Sequence, residues 1–354
     1  MAVVGIALLT LVPGQLGGSE TYVRELLGGL AAAGELEYRV VLPPAAAALS
    51  TGLPSEVATE YRNAHGVPGR LLAMTEAAAR PGPLRARLRG ADVVHYPLTI
   101  RLPPVDAPTV VTLHDLQHVD LPQMFGRAER AFRAIAWHSS IRDANRVVVP
   151  SEFVRGRAVA KLALDPARVD VVRSGVDHGR FTPANVEREP FLLYPARRWP
   201  HKNHDRLFAA FAQLRSRRPE LRLVLTGDPQ RGAPRDGVEE RGLVPADELV
   251  GLYRRASALV FPSLYEGFGQ PVLEAMACGC PVACSDAGAL PEVVGDAARL
   301  FDPRDTDAIA GAAEEVLDAP ADWAARGLDR AAGFSWTATA RGYDALYREL
   351  SSRS

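Results

Sequence analysis

Residues 256–294 constrain the fold more than any other part of the chain, because they combine a strand, a glycine turn and the start of a helix. The apolar run Ala258–Phe261 predicts a short buried strand of a parallel sheet. Two glycines in the turn Tyr265–Gly269 let backbone N–H groups approach a ligand closely. A helix is predicted from about Pro271 to Cys278. Unpaired N–H groups and the positive end of the helix dipole point the same way there, so the segment predicts an anion site.

Two carboxylates accompany this turn. Glu266 lies at its beginning, and Glu274 lies one turn into the predicted helix. Carboxylates repel phosphate oxygens, so neither is expected to be a phosphate ligand. Both suit hydroxyl groups, such as those of a sugar and a ribose.

Glu266 and Glu274 are separated by the seven residues GFGQPVL, and the motifs AMACGCPV and PEVVGDAARLF follow. This long, ungapped pattern resembles the signature of retaining glycosyltransferases of family 4, which have the GT-B architecture. The resemblance implies an α/β fold in which two Rossmann-like, doubly wound parallel-sheet domains face a deep interdomain cleft. We therefore expect an acceptor-side domain over residues 1–178, a nucleotide-sugar domain over 179–335, and a C-terminal helix over 336–354 that packs back on the first domain.

The composition excludes several other classes of protein. A chain of 354 residues suggests two domains, and a net charge of −1 argues against nucleic acid as a partner. The three cysteines, Cys278, Cys280 and Cys284, are predicted to be free buried thiols of a reducing compartment. No apolar run approaches the roughly 20 residues of a membrane span, and the apolar N-terminus lacks the features of a signal peptide. A cytoplasmic location is expected.

A second group of candidate site residues, PARRWPHKN, follows the predicted strand Phe191–Tyr194. Cations between a strand end and a helix can hold phosphate electrostatically. The chain has two lysines among 41 basic residues, so a lysine at position 202 is unusually informative. The family pattern is Gly-Arg, four residues, then Lys. Alanine replaces the glycine here, so the choice between Arg197 and Arg198 as the diphosphate contact stays open.

A glycine turn in the first half is another candidate phosphate site. Gly17 and Gly18 precede a helix predicted from about Glu20 to Ala33, with Ser19 as its N-cap. No G-x-G-x-x-G pattern opens that helix, which disfavours a dehydrogenase. The resemblance implies that the turn faces the donor diphosphate.

His114 and Asp115 directly follow the predicted strand Thr109–Leu113. Ligands of parallel sheets bind at the carboxyl ends of strands, where this pair lies. The resemblance places the histidine near the transferred sugar. His118 is four residues away and could suggest a metal site, but no third ligand is apparent, so no metal is predicted.

Three other motifs have structural explanations. Ser151 is predicted to cap a helix, and Asp305-Thr306-Asp307 reads as an N-cap with first-turn acids, although a D-x-D string binds a metal in another glycosyltransferase architecture. Residues 231–236 are predicted to form a mobile loop.

Residues 127–146 predict an arginine-rich helix. It is either a solvated amphipathic helix or a surface for an anionic or membrane-bound acceptor. Either interpretation leaves the protein cytoplasmic, with or without peripheral membrane contact.

The resemblance implies transfer of a hexosyl unit (mannosyl-, rhamnosyl- or glucosyl-type) from a GDP-, UDP- or dTDP-linked sugar to a hydroxyl acceptor, without a metal or another cofactor. The acceptor is a glycan, a lipid-linked sugar or a natural product. The catalytic candidates are His114, Arg197, Lys202 and Glu266. The donor-binding candidates are Gly17, Gly18, Asp115, Val244, Gly267, Phe268, Gly269 and Glu274. The alternatives are a nucleotide-sugar epimerase of GT-B shape and a non-catalytic nucleotide-sugar-binding protein.

Overall fold

The computed structural model describes residues 1–15, 17–62, 66–228 and 235–352. These residues form two compact units. The first unit consists of Met1–Gly175 and Trp336–Ser354, and the second consists of Val176–Ser335. Residues 231–234 of the predicted mobile loop lie outside the described residues.

Seven parallel strands form the sheet of the first unit. They are β1 (Val3–Ala7), β2 (Glu37–Leu42), β3 (Ser55–Val57), β4 (Val93–Tyr96), β5 (Thr109–Thr112), β6 (Arg146–Val149) and β7 (Val169–Val171). Their order across the sheet is β3-β2-β1-β4-β5-β6-β7. Apolar runs in the sequence predict six of these strands, at Val3–Leu9, Tyr38–Leu42, Val93–Tyr96, Thr109–Leu113, 146–149 and Val169–Arg173. β3 lies in the poorly patterned segment 43–90 and is not predicted.

Helices cover both faces of this sheet. They are α1 (Gly18–Ala33), α2 (Gly66–Ala79), α3 (Gly82–Arg87), α4 (Gln117–Asp120), α5 (Arg127–Phe132), α6 (His138–Asp143) and α7 (Glu152–Leu162). Alternate residues of a strand point to opposite faces, so Val148 packs in the cluster beside α1, while Val147 and Val149 pack in the cluster beside α7. This double burial explains why the strands read as nearly continuous apolar runs.

Six parallel strands form the sheet of the second unit. They are β8 (Glu189–Pro195), β9 (Arg222–Thr226), β10 (Val238–Glu240), β11 (Ala256–Phe261), β12 (Val282–Ser285) and β13 (Arg299–Phe301). Their order is β10-β9-β8-β11-β12-β13. The helices of this unit are α8 (His204–Arg217), α9 (Ala246–Arg255), α10 (Gln270–Ala277), α11 (Leu290–Val294), α12 (Thr306–Asp318) and α13 (Pro320–Ala332).

The last helix, α14 (Trp336–Ser351), belongs to the first unit. Trp336 packs edge-on against Tyr22 of α1, with ring centroids 5.7 Å apart. Asp344 is 1% exposed and accepts hydrogen bonds from the hydroxyl of Tyr38 and from the backbone N–H of Glu35. The helix is therefore held by both apolar and polar contacts.

Both sheets are doubly wound α/β sheets. The strand order reverses between β1 and β4 in the first unit and between β8 and β11 in the second. Ligands of such sheets bind at these points, outside the carboxyl ends of the strands. The topology therefore predicts a ligand site at the loops after β8 and β11 in the second unit.

Two of the sequence predictions for this fold are wrong. Ser19 does not cap α1, because the helix already begins at Gly18 and no side chain bonds to its first turn. The arginine-rich helix does not reach position 146. It passes from α5 through a π-helical turn, Arg133–Trp137, and ends with α6, while Arg146 starts β6 and pairs with Asp170 and Glu349.

Other local predictions are confirmed. Ser151 accepts a hydrogen bond from the N–H of Val154 at 3.2 Å. Asp305 caps α12 by accepting from two N–H groups of its first turn. The three cysteines are free and buried, and burial raises the pKa of Cys278 and Cys280 to about 12. Within the described part of the chain, no helix is both long and apolar enough to cross a membrane.

Candidate active site

The loops after β8 and β11 bring Lys202 and Glu266 together. Lys202 Nζ lies 2.6 Å from Glu266 Oε1, although the two residues are 64 positions apart. Their side chains are only 12% and 13% exposed, so water screens the pair weakly. Lys202 Nζ also lies 5.1 Å from the ring centroid of Phe261, the last residue of β11. Both members of the pair are residues that the sequence singles out.

Asn203 fixes the backbone on which this pair stands. It is 6% exposed, and its Nδ2 donates to the carbonyl oxygens of Pro262 at 3.0 Å and Pro303 at 2.7 Å. The N–H of Leu264 also donates to the carbonyl of His201 at 2.7 Å. The turn that carries Lys202 is thereby joined to the loop that carries Glu266.

Two glycines allow close approach around Glu266. Gly288 has a φ of 67°, and a Cβ there would lie 2.5 Å from the carbonyl oxygen of Glu266. The next N–H, of Ala289, donates to that same oxygen at 3.0 Å. Gly269 is the N-cap of α10 with a φ of 105°, and a Cβ there would lie 2.5 Å from Leu290 Cδ2. A side chain at either position would displace the turn before α10.

Gly267 and Phe268 lie in that turn, directly before the N-terminus of α10. Phe268 is 8% exposed and packs against Phe334 with ring centroids 6.0 Å apart. The apolar contact anchors the turn in the core of the second unit. The turn therefore has a fixed position relative to the positive end of the α10 dipole.

Arg197 and Arg198 have different surroundings. Arg197 Nε lies 3.9 Å from Asp228 Oδ1, across the loops that follow β8 and β9. The guanidinium of Arg198 lies 5.7 Å from the ring centroid of Phe208 on α8, and its Nε is buried with no hydrogen-bond partner among the residues that the structure describes. The environment of Arg197 is therefore the more polar of the two, whereas Arg198 packs partly against the core.

Glu274 lies on α10 and is 7% exposed. Its Oε2 accepts a hydrogen bond from the hydroxyl of Tyr253 on α9 at 3.0 Å. Burial and the neighbouring carboxylate raise the pKa of Tyr253 well above its usual value, so this hydroxyl stays protonated and donates. The contact orients the Glu274 carboxylate.

The loop after β10 carries Val244, the candidate beside the nucleobase. The sequence predicts a strand over Val238–Leu243, but the observed strand ends three residues earlier, at Glu240. The carbonyl of Gly242 accepts the N–H of Gly227 at 2.6 Å, which joins this loop to the end of β9. Val244 packs against the core of the second unit, so its backbone is the part that a ligand could use.

In the first unit, the glycine turn is the N-terminus of α1. Gly17 is the N-cap, and Gly18 is the first helical residue with open space around the position of a Cβ. Glu20 folds back from the first turn and accepts the N–H of Gly14 at 2.6 Å. Sequence reasoning did not predict this contact. Its only local signal was that an acidic residue lies in the first turn of the helix.

His114 and Asp115 follow β5, as predicted. His114 Nε2 donates to the carbonyl oxygen of Pro97 at 2.8 Å, and burial lowers the pKa of His114. Asp115 Oδ1 accepts the N–H of Gln117 at 3.0 Å and so stabilises the turn into α4. Asp115 thus has a structural contact in addition to its predicted donor-binding role.

His118 pairs with His138 and not with His114. Their Nε2 atoms are 3.2 Å apart, and burial lowers the pKa of His118 to about 4. Among the described residues, no group of three His, Cys, Asp or Glu side chains is placed to hold a metal ion.

Sequence reasoning missed the residues that support the site, above all Asn203 and Gly288 beside the Lys202–Glu266 pair and Tyr253 beside Glu274. An asparagine after Lys202, at the junction of a turn and a helix, was the only local signal for Asn203. The other two lie far from their partners in the chain, so no local pattern indicates them.

Two family models match the chain and together span most of it. The model described as "Glycosyltransferase Family 4" matches residues 16–180, and "Glycosyl transferases group 1" matches residues 177–328. The O-antigen chain mannosyltransferase B of Escherichia coli is 30% identical over 69% of this chain and 71% of that protein. The D-inositol 3-phosphate glycosyltransferase of Frankia alni is 32% identical over 95% of each chain. Among solved structures, the sucrose-phosphate synthase of Thermosynechococcus elongatus matches with a TM-score of 0.83 and 22% identity over the whole of both chains.

Two Rossmann-like domains with this topology define the GT-B class of fold. The chain belongs to glycosyltransferase family 4. It is an enzyme that transfers a hexosyl unit from a nucleotide sugar, and this activity is favoured over the epimerase and sugar-nucleotide sensor that the sequence left as alternatives.

Proposed function

We propose that the second unit binds the diphosphate of the donor through Lys202 and the start of α10, and that the hexosyl unit passes to a hydroxyl acceptor with retention at the anomeric carbon. The observation that supports this most is the Lys202–Glu266 contact of 2.6 Å at the point where strand order reverses. A weakly exposed ammonium group at that point is an electrostatic site for an anion.

In this proposal, Lys202 stabilises the negative charge that grows on the diphosphate as the bond to the sugar breaks. Arg197 and the turn Gly267–Gly269 act on the same charge. Preorganised groups of this kind typically lower a barrier by about 3 kcal/mol each. In the first unit, Gly17 and Gly18 at the start of α1 are proposed to supply N–H groups to a phosphate.

Glu266 is proposed to hold hydroxyl groups of the sugar and not to attack it. Its ion pair with Lys202 fixes its position, and a hydroxyl can donate to the same carboxylate. The acceptor oxygen forms its bond to the anomeric carbon on the face from which the diphosphate leaves. The acceptor proton passes to a phosphate oxygen, so no carboxylate nucleophile is needed.

The remaining donor-binding candidates are Glu274 and Val244 in the second unit and His114 and Asp115 in the first. Glu274, oriented by Tyr253, accepts hydrogen bonds from the ribose hydroxyls, and the backbone near Val244 contacts the base. His114 contacts the sugar, and Asp115 stabilises the turn that carries it.

No metal ion or other cofactor takes part in the proposed reaction. The charge on the diphosphate is met by Lys202, Arg197 and helix N-termini. We expect EDTA to leave turnover unchanged. A loss of activity in EDTA that Mg²⁺ or Mn²⁺ restores would contradict this part of the proposal.

The donor is tested by thermal shift and turnover with GDP-, UDP- and dTDP-hexoses. A nucleotide that binds only the folded protein at 100 times its dissociation constant stabilises it by about 2.7 kcal/mol. We expect one nucleoside diphosphate to raise Tm, and NMR of the product to show the anomeric configuration of the donor. Absence of stabilisation by all of these nucleotides would refute the donor site.

The acceptor is proposed to lie at an anionic membrane surface, which the cytoplasmic enzyme contacts through α5 and the π-helical turn. Arg127 and Arg130 are exposed there, and Ile135 is 73% exposed. Arg133 contributes less charge, because it pairs with Glu129 at 2.8 Å and its guanidinium lies over the ring of Trp137. An exposed apolar residue beside exposed arginines is typical of a helix that lies on an anionic bilayer.

This contact is tested by sedimentation with vesicles of phosphatidylglycerol and phosphatidylcholine. We expect the double variant Arg127→Ala/Arg130→Ala to bind roughly tenfold to thirtyfold more weakly, since each arginine contributes about 1 kcal/mol. Arg341→Ala, at an exposed position on α14, is the control. Equal binding of the wild type and the double variant would show that α5 is not the contact surface, and absence of binding by the wild type would indicate a soluble acceptor.

A further inference from the structure

Thr99 has a strained backbone in the turn that follows β4 in the first unit. Its φ is 67°, in the left-handed region that a β-branched residue rarely adopts. It is 1% exposed and follows β4, one of the two strands between which the strand order reverses. Such outliers persist only where their surroundings enforce them, and they cluster at functional sites.

The contacts of this turn lead directly to His114. The hydroxyl of Thr99 donates to the carbonyl oxygen of Thr112, the last residue of β5, at 2.8 Å. Two residues before Thr99, the carbonyl oxygen of Pro97 accepts a hydrogen bond from His114 Nε2, also at 2.8 Å. The turn after β4 is therefore tied at two points to the segment that carries His114.

These contacts select one form of the imidazole. A carbonyl oxygen can only accept, so the proton of His114 must be on Nε2. Burial lowers the pKa of His114, which keeps the ring neutral and leaves a lone pair on Nδ1. The ring of Tyr22 lies edge-on to His114 with centroids 4.8 Å apart and restricts its rotation. The ring therefore offers an acceptor, and no positive charge, to a substrate.

We propose that Thr99 is a positioning residue, which holds the Pro97 carbonyl against Nε2 of His114 and so keeps Nδ1 as the acceptor for a hydroxyl group of the donor sugar. The identity of that hydroxyl rests on the proposed function, whereas the tautomer does not. A relaxed turn would move the carbonyl away from Nε2, which explains why the strain at position 99 is tolerated.

Three substitutions separate strain from hydrogen bonding. Thr99→Gly relieves the strain and removes the hydroxyl, Thr99→Val keeps the branched shape without the hydroxyl, and Thr99→Ser keeps the hydroxyl. Ala163→Gly is the matched control, because Ala163 also has a positive φ, of 51°, and is exposed at the end of α7.

The tautomer of His114 is read from ¹⁵N chemical shifts of histidine-labelled protein without any substrate, and its signal is assigned by its loss in His114→Gln. We expect the Nε2–H form in the wild type, in Thr99→Ser and in Ala163→Gly. We expect mixed tautomers in Thr99→Gly and Thr99→Val. The kcat of these two variants should fall about tenfold to a hundredfold, with KM for the donor changed much less.

An unchanged tautomer in both Thr99→Gly and Thr99→Val would overturn the proposal, whatever their activity. A changed tautomer with an unchanged kcat, in an enzyme that turns over its donor, would overturn it as well. If the wild type binds no nucleotide sugar, the proposed function fails. The tautomer, measured on the free protein, still decides whether Thr99 positions His114.

Discussion

At the scale of single residues, the ion pair between Lys202 and Glu266 links stability to the proposed catalysis. Each side chain is held in place by the other, and both are only slightly exposed to water. Removal of one partner leaves a weakly hydrated charge, which costs more than the loss of an exposed pair. A variant at this site therefore has two separable effects, one on folding and one on the diphosphate.

We predict that Lys202→Ala lowers the free energy of unfolding of the second unit by about 2 kcal/mol, because it leaves Glu266 without its cation. It should also lower kcat about a hundredfold or more, because the charge on the diphosphate loses its main counter-charge. Lys202→Ala/Glu266→Gln should recover most of the stability and none of the activity. Urea unfolding and donor turnover measure the two effects.

Lys161→Ala is the control for this pair of variants. Lys161 is the other lysine of the chain and lies exposed near the end of α7, so both stability and kcat should stay near the wild-type values. Recovery of activity in the double variant would show that Lys202 serves only to neutralise Glu266.

The sequence predicts the members of this pair but not the pair itself. Lys202 is prominent because lysine is rare in the chain, and Glu266 because a glycine turn follows it. Nothing in a linear pattern indicates that two residues 64 positions apart lie in contact. The same reason explains why Asn203, with partners 59 and 100 residues away, was not foreseen.

At the scale of helices and strands, α14 shows how a polar contact can hold an element in place. Asp344 is buried and satisfies two donors of the first unit, the hydroxyl of Tyr38 and the N–H of Glu35. Its neighbour on the helix, Arg348, pairs with Glu35 in an exposed position. The polar contacts of Asp344 are therefore buried, whereas the ion pair of Arg348 with Glu35 is exposed.

We predict that Asp344→Ala lowers the free energy of unfolding of the first unit by about 2–4 kcal/mol, because two donors lose their acceptor in a buried place. Arg348→Ala, the matched control, should change it by less than about 1 kcal/mol. Differential scanning calorimetry separates the unfolding transition of the first unit from that of the second. Equal destabilisation by both variants would mean that burial does not set the strength of these contacts.

Elements with a strong apolar pattern were predicted to within one or two residues, and weakly patterned elements were not. The strand Val93–Tyr96 is found as expected, because all four residues are buried on both faces of a parallel sheet. β3 has three residues, two of them exposed, so it carries almost no apolar signal. The π-helical turn Arg133–Trp137 also has no sequence signal, since a π-turn keeps helical composition and changes only the phase.

At the scale of the whole molecule, alternating strands and helices predict a parallel sheet, and the family resemblance implies the doubly wound topology that is observed in both units. The same topology buries histidines, which composition does not reveal. His95 lies on β4 with no exposed surface, between the hydroxyls of Thr112 and Tyr347. Such residues make stability depend on pH in a way that net charge does not predict.

Burial lowers the pKa of His95 to about 3 and of His118 to about 4 in the first unit, and of His204 to about 4 in the second. The unfolded chain takes up these protons near pH 6.5, whereas the folded chain does not. The unfolded state therefore binds more protons between pH 6.5 and about 4, and the free energy of unfolding falls as pH decreases through that range.

We predict that each of these histidines contributes a loss of about 1.5–2 kcal/mol between pH 6.5 and 5, from 1.36 kcal/mol per pH unit. Burial also lowers the pKa of His114 and His138 in the first unit, so the first unit should lose more stability than the second. Calorimetry from pH 7.5 to 5 measures both transitions. His95→Gln, which keeps a neutral hydrogen-bonding side chain, should reduce the pH dependence of the first unit alone, where His118 still titrates, and His204→Gln should reduce that of the second alone. If His95→Gln keeps the full pH dependence, protonation of some other group must cause the acid sensitivity of the first unit.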